Sequence, residues 1–237
     1  AWMYHGGGME LMNEFYATQN LIAFPCGNTG SQMGGWFRKE IKSLADLQGV
    51  KMRIGGFGGK VISKVGVVPQ QLPGAQIYES LEKGVIDAAE WVGPYDDEKL
   101  GFNKVAPYYY YPGWWEGGAE LEFFISAKAY AALTPEFQAM VDAATAVAAR
   151  DMTAKYDAYN PIALKKLVAA KTQLKAFSKD LMDAGFKASM EVFKEHEAKS
   201  PEFKKIHQDM RAFQRDQLLW ERFSEFRYNS YMATVKI

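Results

Sequence analysis

The sequence predicts an α/β fold with a partly parallel sheet, and three observations lead to this prediction. Short apolar runs alternate with helical patterns between residues 43 and 92, in the order strand, turn, helix, strand, helix, strand. Of the 237 residues, 48% are hydrophobic, so a substantial core can be buried. Long helical patterns without strand-like alternation fill most of the chain after residue 133.

The N-terminal part begins with one helix and one strand. Residues 9–20 carry apolar side chains at helical spacing and predict a helix. The segment "LIAFP" (21–25) predicts a short buried strand that ends at Pro25. Ser43 and Asp46 have the spacing of a capping box, which predicts a helical turn between them and the following glycine.

The α/β unit follows at once. Its strands are predicted at 50–54, 67–72 and 85–92, and its helices at 60–66 and 75–84. Glycines at 55–59 separate the first strand from the first helix, and Gly84 is predicted to cap the second helix at its C-terminal end.

The remainder is mostly helical. An aromatic, turn-rich segment at 105–118 precedes a strand at 121–126. Thr134 and Pro135 predict the N-cap and first position of a long helix reaching residue 160. Two further helical blocks are predicted at 179–199 and 201–235, the second beginning with the cap "SPEF".

Composition excludes several classes of function. Lys plus Arg and Asp plus Glu are 28 each, so the net charge is zero and no basic field indicates nucleic acid as a partner. The single cysteine, Cys26, excludes an intrachain disulfide and a two-cysteine zinc site. No apolar run reaches the length of a membrane span, and no signal peptide pattern occurs in the sequence.

The stretch "KMRIGGFGGKV" (51–61) is typical of an anion-binding turn, but it fails both nucleotide templates. The dinucleotide motif would need glycine where Val61 stands, and the phosphate loop would need glycine in place of Ile54. Arg53 at a strand end, followed by glycines and a helix N-terminus, favours a small anion such as a carboxylate. The alternative is a surface arginine beside a tight turn.

Several segments together resemble a known family. They are "GNTGSQMGGWF", "KSLADLQGVKMRIGGFGGKV", "GVIDAAEWVGPYDDEKLGF" and "KVAPYYYYPGWWEGG". Jointly they resemble solute-binding proteins of tripartite ATP-independent periplasmic (TRAP) transporters, in the subgroup that binds 2-oxo acids or lactate with a metal ion. The resemblance covers nearly the whole chain and is densest between residues 24 and 118.

The resemblance implies a periplasmic-binding-protein-like fold of two lobes, with mixed sheets, spanning helices and a helical C-terminus. Residues 1–22 and 88–120 would be the remnant of lobe I. Residues 23–87 and 121–175 would form lobe II with its connecting strands and long helix, and 176–237 the C-terminal helices. Family members begin with a signal peptide and a first βαβ portion of lobe I. Neither occurs in this sequence, so we expect one wall of the cleft to be missing. The resemblance implies a periplasmic location.

The resemblance also implies the site residues. The arginine of "KMRIGG", Arg53, would anchor the substrate carboxylate. The implied metal ligands are Gln32, Glu90, the carbonyl of Trp91, and Glu116. The implied substrate-binding residues are Arg53, Gln32, Trp91, Glu90, Phe57 and Tyr95. Trp91 stands where more typical family members carry asparagine, which matches the metal-using subgroup.

The chemistry of this set agrees with a hard cation, Ca²⁺ or Na⁺, because every predicted ligand is an oxygen. A 2-oxo or 2-hydroxy acid, pyruvate-like or lactate-like, would add its carboxylate and its second oxygen. Glu90, Glu116 and a monocarboxylate carry three negative charges against the one positive charge of Arg53. A divalent ion neutralises this sum, which favours calcium, while sodium stays open.

Alternatives remain at this point. Glu90 and Glu116 are also compatible with an enzyme acting on a small acid or a sugar. The aromatic run 108–111 with Trp114 and Trp115 fits either a cleft wall or core packing.

The partners implied are membrane permease subunits and a small organic acid. The C-terminal helices suggest a second alternative function, that of a helical interaction module. One apolar stripe on them could either pack on the chain itself or form a homodimer. Its residues are Phe203, Ile206, Met210, Phe213 and Trp220.

Overall fold

The computed structural model describes residues 1–235. Its helices are α1 (Trp2–His5), α2 (Gly8–Ala17), α3 (Gly56–Ser63), α4 (Gly74–Glu82), α5 (Pro94–Leu100), α6 (Ala127–Ala131), α7 (Pro135–Ala169), α8 (Lys179–Lys199), α9 (Pro201–Glu221) and α10 (Glu225–Met232). Its strands are β1 (Leu21–Asn28), β2 (Gly35–Phe37), β3 (Lys51–Arg53), β4 (Val68–Gln70), β5 (Ala88–Ala89), β6 (Tyr108–Tyr111), β7 (Glu120–Ser126) and β8 (Gln173–Ala176). Short 3₁₀ helices occupy Leu44–Leu47 and Phe102–Lys104.

Six strands form a mixed sheet in the order β4-β3-β5-β2-β6-β8. β3 is parallel to both β4 and β5, and β6 is parallel to β8. β2 is antiparallel to both of its neighbours, β5 and β6. The predicted α/β class with a partly parallel sheet is therefore confirmed. β1 and β7 form a separate two-stranded sheet.

The core lies on the two faces of the six-stranded sheet, because successive strand residues point to opposite faces. Trp36 and Tyr109 stack on one face with ring centroids 3.8 Å apart. Their chain neighbours Phe37 and Tyr110 pack edge to face on the other, at 5.1 Å. Tyr109 and Tyr110 are therefore core residues, as the packing alternative for the aromatic run predicted.

Several local predictions hold. The backbone N–H of Ser43 donates to Asp46 Oδ2 at 2.9 Å, and both halves of the predicted capping box are present. Gly84 follows α4 with a φ of +72°, the left-handed conformation typical of a glycine after a helix. The N–H of Phe203 donates to Ser200 Oγ at 3.0 Å, which confirms the cap of α9.

Other boundaries were predicted wrongly. β1 continues through Pro25 to Asn28, because β1 has only one partner strand and a proline is tolerated on an edge strand. α7 continues through Pro161 to Ala169 and therefore extends beyond residue 160. α3 begins at Gly56, so the glycine run belongs largely to the helix.

Short elements also differ from the prediction. β5 spans only two residues, so Glu90 and Trp91 follow the strand instead of belonging to it. The C-terminal block divides into α9 and α10, and residues 236–237 lie outside the described part. β2, β6, β8 and α5 were not predicted, because each is only three to seven residues long.

The chain divides into two compact units. Within the described residues, the first comprises 1–24, 123–140 and 195–235, and the second 25–122 and 141–194. The predicted assignment of segments to two lobes concerns a larger fold and stays a prediction. All predicted site residues lie in the second unit.

The first unit is built around the contact of α1 and α2 with α9. Trp2 Nε1 donates to Asp209 Oδ1 at 2.8 Å, and Lys205 pairs with Glu14. Gly6 lies directly against the ring of Phe213, where a Cβ would be 2.7 Å from the ring. No helix among residues 1–235 has the length and apolar character needed to cross a membrane.

Candidate functional site

The strand order brings the predicted polar residues to one edge of the six-stranded sheet. β3 and β5 are parallel, so Arg53 at the end of β3 lies beside Glu90, which follows β5. The N–H of Glu90 donates to the carbonyl of Arg53 at 2.9 Å. β2 is antiparallel to β5, so Gln32, which precedes β2, lies at the same edge.

Gly35 allows the start of β2 to approach the segment after β5. Its φ is +100°, and a Cβ would lie 2.7 Å from the carbonyl oxygen of Ala89 and 3.2 Å from the Cα of Glu90. Any larger residue would be strained and would push the two segments apart. This glycine therefore fixes the distance between the Gln32 loop and Glu90.

Arg53 and Glu90 form the centre of the site. Arg53 Nη1 donates to the carbonyl oxygen of Glu90 at 2.7 Å and contacts Glu90 Oε2 at 3.3 Å. Arg53 Nε donates to the carbonyl of Leu72 at 3.4 Å. The guanidinium also lies over the ring of Trp91, 4.9 Å from its centroid. These contacts hold the guanidinium in one orientation, as a carboxylate anchor requires.

Glu90 is 4% exposed, and its surroundings disfavour its charged form. The pKa of Glu90 is raised to about 8, chiefly by burial and secondly by the charge of Glu116, while the charge of Arg53 opposes both effects. Burial also raises the pKa of Glu116, against the hydrogen bond from Gln32 and the charge of Arg53. Two buried carboxyls with raised pKa values, one of them raised in part by the charge of the other, favour a cation between them.

Gln32 is the third polar member of the site and is 7% exposed. Its Nε2 donates to Thr29 Oγ1 at 3.0 Å and lies 3.4 Å from Glu116 Oε1. Its side-chain oxygen, Oε1, is buried and has no hydrogen-bond donor among the described residues. A buried amide oxygen without a partner is costly, so this atom is suited to a ligand cation.

The donor set fits a hard cation. Two carboxylates, one amide oxygen and the Trp91 carbonyl are oxygen ligands, which Ca²⁺ and Na⁺ accept and which zinc or copper accept less readily. Within residues 1–235 there is no cluster of three or more His, Cys, Asp or Glu side chains placed to hold a metal. The predicted set therefore depends on its two neutral oxygens as well as on Glu90 and Glu116.

Two predicted substrate-binding residues are packed against helices. Phe57 stacks on Phe193 of α8, with centroids 5.2 Å apart. Tyr95 stacks on Tyr159 of α7 at 5.1 Å, and Lys99 Nζ lies 3.2 Å from the centroid of the Tyr95 ring. The roles of Phe57 and Tyr95 in substrate binding stay predictions.

Two cavities adjoin the polar cluster. One of about 330 Å³ is lined by Arg53, Gly55, Gln71, Leu72 and Pro73. The other, of about 310 Å³, lies beside Gln32 and has mainly apolar walls, including Trp114 and the α8 residues Met182 and Phe186. Each is large enough for a small organic acid.

Two residues at this edge were not predicted from the sequence. Asp97, on α5, is buried and accepts hydrogen bonds from Trp36 Nε1 at 2.9 Å, the Tyr109 hydroxyl at 2.7 Å and the Val92 N–H at 3.3 Å. Burial raises its pKa to about 6, although the hydrogen bonds from Tyr109 and Trp36 oppose this.

Asp97 thereby ties β2 and β6 to the segment that carries Glu90. Asp96 and Asp97 both lie in the first turn of α5, and nothing in the sequence distinguished the buried member of this pair. Thr29, the partner of Gln32, had no sequence signal at all.

Comparison with known proteins places the chain among solute-binding proteins. The model of the bacterial extracellular solute-binding protein family 7 (DctP) matches residues 1–200. A monocarboxylate 2-oxoacid-binding periplasmic protein of Nostoc sp. is 47% identical over 234 residues, 99% of this chain. The chain spans 64% of that relative's length.

Solved structures agree with the fold. A TRAP transporter solute-binding protein from Bordetella bronchiseptica has a TM-score of 0.95 and 52% identity over 98% of this chain and 69% of its own. It is a mixed-occupancy dimer with copurified calcium and picolinate in the bound site. A TRAP periplasmic protein from Pseudoalteromonas atlantica, with sodium and pyruvate bound, has a TM-score of 0.92 and 42% identity over 100% of this chain and 71% of its own.

Proposed function

Because the chain belongs to the bacterial extracellular solute-binding proteins of family 7, we propose that it is part of the periplasmic binding component of a TRAP transporter. Its substrate in this proposal is a small 2-oxo or 2-hydroxy monocarboxylate, pyruvate-like or lactate-like, captured together with a metal cation. The loaded protein delivers the acid to membrane permease subunits. The family is one of solute-binding proteins, so the enzyme alternative has no support from it.

One observation carries this proposal: the buried, unpartnered Oε1 of Gln32 lies in a cluster with Glu116, Glu90 and Arg53. The amide oxygen and the carboxylates are suited to bind a cation, while the guanidinium is suited to bind an anion. A 2-oxo acid satisfies both, because its carboxylate faces Arg53 while its second oxygen turns toward the cation. A plain fatty acid lacks that second oxygen.

In this proposal different residues bind the acid and the cation. Arg53, held over Trp91 and against Glu90, orients the acid through its carboxylate. Gln32 and Glu116 supply oxygens from two loops that the fold brings to the same sheet edge. A bound cation would add positive charge between the glutamates and coordination positions for two oxygens of the acid.

The identity of the cation is a finer part of the proposal. The Bordetella relative carries calcium and the Pseudoalteromonas relative carries sodium. Charge balance favours calcium, since Glu90, Glu116 and the acid together exceed the charge of Arg53 by two. Sodium would leave one negative charge, unless Glu90 keeps its proton.

Calorimetry tests the proposal. Pyruvate is titrated into protein freed of metal by chelator, in sodium-free buffer, and then after addition of CaCl₂ or NaCl. We expect saturable binding only when a cation is present, with acetate as a control that lacks the 2-oxygen and binds more weakly. Equal binding of pyruvate with and without chelator, or turnover of pyruvate into product, would contradict the proposal.

A homodimer through the C-terminal helices is a further part of the proposal. Trp220 is 62% exposed, and Phe223 and Phe226, which follow it within six residues, are exposed too, whereas Phe213 packs against Gly6. Exposed aromatic side chains in such a group favour an interface. Light scattering tests this: a dimer mass is expected, reduced to the monomer in Trp220→Ser/Phe223→Ser, and a monomeric wild type would contradict it.

A further inference from the structure

We propose that Thr29 positions the side-chain amide of Gln32, so that the amide oxygen faces the cation and the NH₂ group faces away from it. This inference rests on the proposed function, because the cation is part of that function. Thr29 lies in the loop between β1 and β2 and is 5% exposed. In this assignment it is a positioning residue and does not touch the cation.

The hydrogen-bonding capacity of the Thr29 hydroxyl is fully used. Its single proton is donated to the carbonyl oxygen of Gly30 at 3.0 Å. Its oxygen accepts from Gln32 Nε2 at 3.0 Å and from the N–H of Ala119 at 3.0 Å. A hydroxyl has one donor and two acceptor positions, so no proton remains for a second acceptor.

This arrangement determines which way the Gln32 amide points. Thr29 offers Gln32 only a lone pair, and Glu116 Oε1, 3.4 Å from Nε2, is also an acceptor. If the amide were turned over, Oε1 would face two acceptors, and the NH₂ group would face the place of the cation. The contact with Glu116 would be repulsive, and Thr29 could donate to the turned amide only by withdrawing its proton from the Gly30 carbonyl, so Thr29 and Glu116 together favour the orientation with Oε1 toward the cation.

Thr29 also joins the two loops that carry predicted ligands. The N–H of Thr29 donates to the carbonyl of Ala119 at 3.1 Å, and the N–H of Ala119 donates back to Thr29 Oγ1. Ala119 ends the loop that contains Glu116, and Thr29 begins the loop that contains Gln32. One hydroxyl therefore sets both the orientation of the amide and the separation of the loops.

The test compares Thr29→Val, which removes the hydroxyl at nearly constant volume, with Thr29→Ser, which keeps it. Calcium is titrated into metal-free protein without acid. Loss of a group that orients a ligand typically costs 10–100-fold in metal affinity, so we expect about that loss for Thr29→Val. Thr29→Ser is expected to bind calcium like the wild type, and equal affinities in all three proteins would overturn the proposal.

A double-mutant cycle separates positioning from a general structural role. If Thr29 acts through the amide of Gln32, the Thr29→Val change costs much less calcium affinity in a Gln32→Ala background than in the wild type. If it acts only by holding the loops, the loss is the same in both backgrounds, and the proposal is wrong. Thermal unfolding of all four proteins checks that each is folded.

A second readout needs no metal. In ¹⁵N-labelled metal-free protein, the side-chain NH₂ resonances of Gln32 are identified by their disappearance in Gln32→Ala. Slow solvent exchange of these protons is expected in the wild type and in Thr29→Ser, and faster exchange in Thr29→Val. Unchanged exchange in Thr29→Val would overturn the positioning role. Protected NH₂ protons in a wild type that binds no calcium would instead contradict the proposed function.

Discussion

The guanidinium of Arg53 contacts both the backbone carbonyl and the carboxylate of Glu90, at 2.7 and 3.3 Å. The same guanidinium lies over Trp91 and beside an open cavity of about 330 Å³. An arginine that is held by Glu90 and also borders a cavity is suited to bind a ligand carboxylate.

Replacement of Arg53 by methionine is therefore expected to abolish binding of pyruvate, because the carboxylate loses its charged donor fork. A loss of about 2–5 kcal/mol or more is expected for a buried hydrogen-bonded charge pair. Calorimetry in the presence of calcium measures it. Arg38→Met, an exposed arginine on the chain, is the matched control and is expected to change nothing. Wild-type affinity in Arg53→Met would exclude Arg53 as the anchor.

Glu116→Gln tests the charge of the second carboxylate. The change keeps one oxygen and the size of the side chain but removes a negative charge, and affinity for calcium depends on the number of charged ligands. We expect calcium to bind at least about tenfold more weakly, and pyruvate to need correspondingly more calcium. Glu82→Gln, on the exposed surface of α4, is the control. Unchanged calcium affinity would remove Glu116 from the ligand set.

The stability of the metal-free protein is expected to fall as the pH rises from about 4.5 to about 8. The pKa of Glu90 is raised to about 8 and that of Asp97 to about 6, so both carboxyls hold protons in the folded state that the unfolded chain releases. The free energy of unfolding then decreases with pH, by about 1.4 kcal/mol per pH unit for each such proton. Thermal unfolding at pH 5, 6, 7 and 8 with chelator measures this.

The control is Glu90→Gln, in which the decrease between pH 6 and pH 8 is expected to be smaller. Calcium is expected to stabilise the wild type more at pH 8 than at pH 5. At pH 8 a smaller fraction of Glu90 is protonated, so calcium has fewer protons to displace. A metal-free wild type whose stability rises from pH 5 to pH 8 would contradict the environment described for these carboxyls.

Gly185→Ala is expected to destabilise the fold near the apolar cavity. A Cβ at Gly185 would lie 2.3 Å from the Trp114 ring, so the ring or α8 would have to move. Such overpacking typically costs about 1–3 kcal/mol. Gly117→Ala is the control, because nothing lies within 4 Å of its Cβ position. Equal denaturant midpoints for the two variants would show that Trp114 is not held against α8.

The sequence was sufficient for long or strongly capped elements and insufficient for short ones. α8 was predicted residue by residue, because its periodicity extends over five turns. β2 and β6 were missed, since three or four aromatic or small residues give no periodic signal, although these strands occupy the middle of the sheet. α7 was predicted too short, because a proline normally ends a helix.

Some site residues could likewise be identified from the sequence, and others could not. Arg53 and the glycines after it were identifiable from a strand end and a turn, while Gln32, Glu90 and Glu116 were named only through resemblance to a family. Their meeting depends on the antiparallel insertion of β2 between β5 and β6, which local sequence does not encode. Asp97 and the contact of Thr29 with Ala119 were missed, because hydrogen bonds to partners far along the chain leave no local pattern.

The most direct test of the central claim is a crystal structure of the protein grown with calcium and pyruvate. We predict one metal peak contacting Gln32 Oε1, Glu90, the Trp91 carbonyl and Glu116, with metal–oxygen distances of about 2.3–2.6 Å. The pyruvate carboxylate should lie within hydrogen-bond distance of Arg53. A metal bound elsewhere on the chain, or pyruvate bound away from Arg53, would contradict the account.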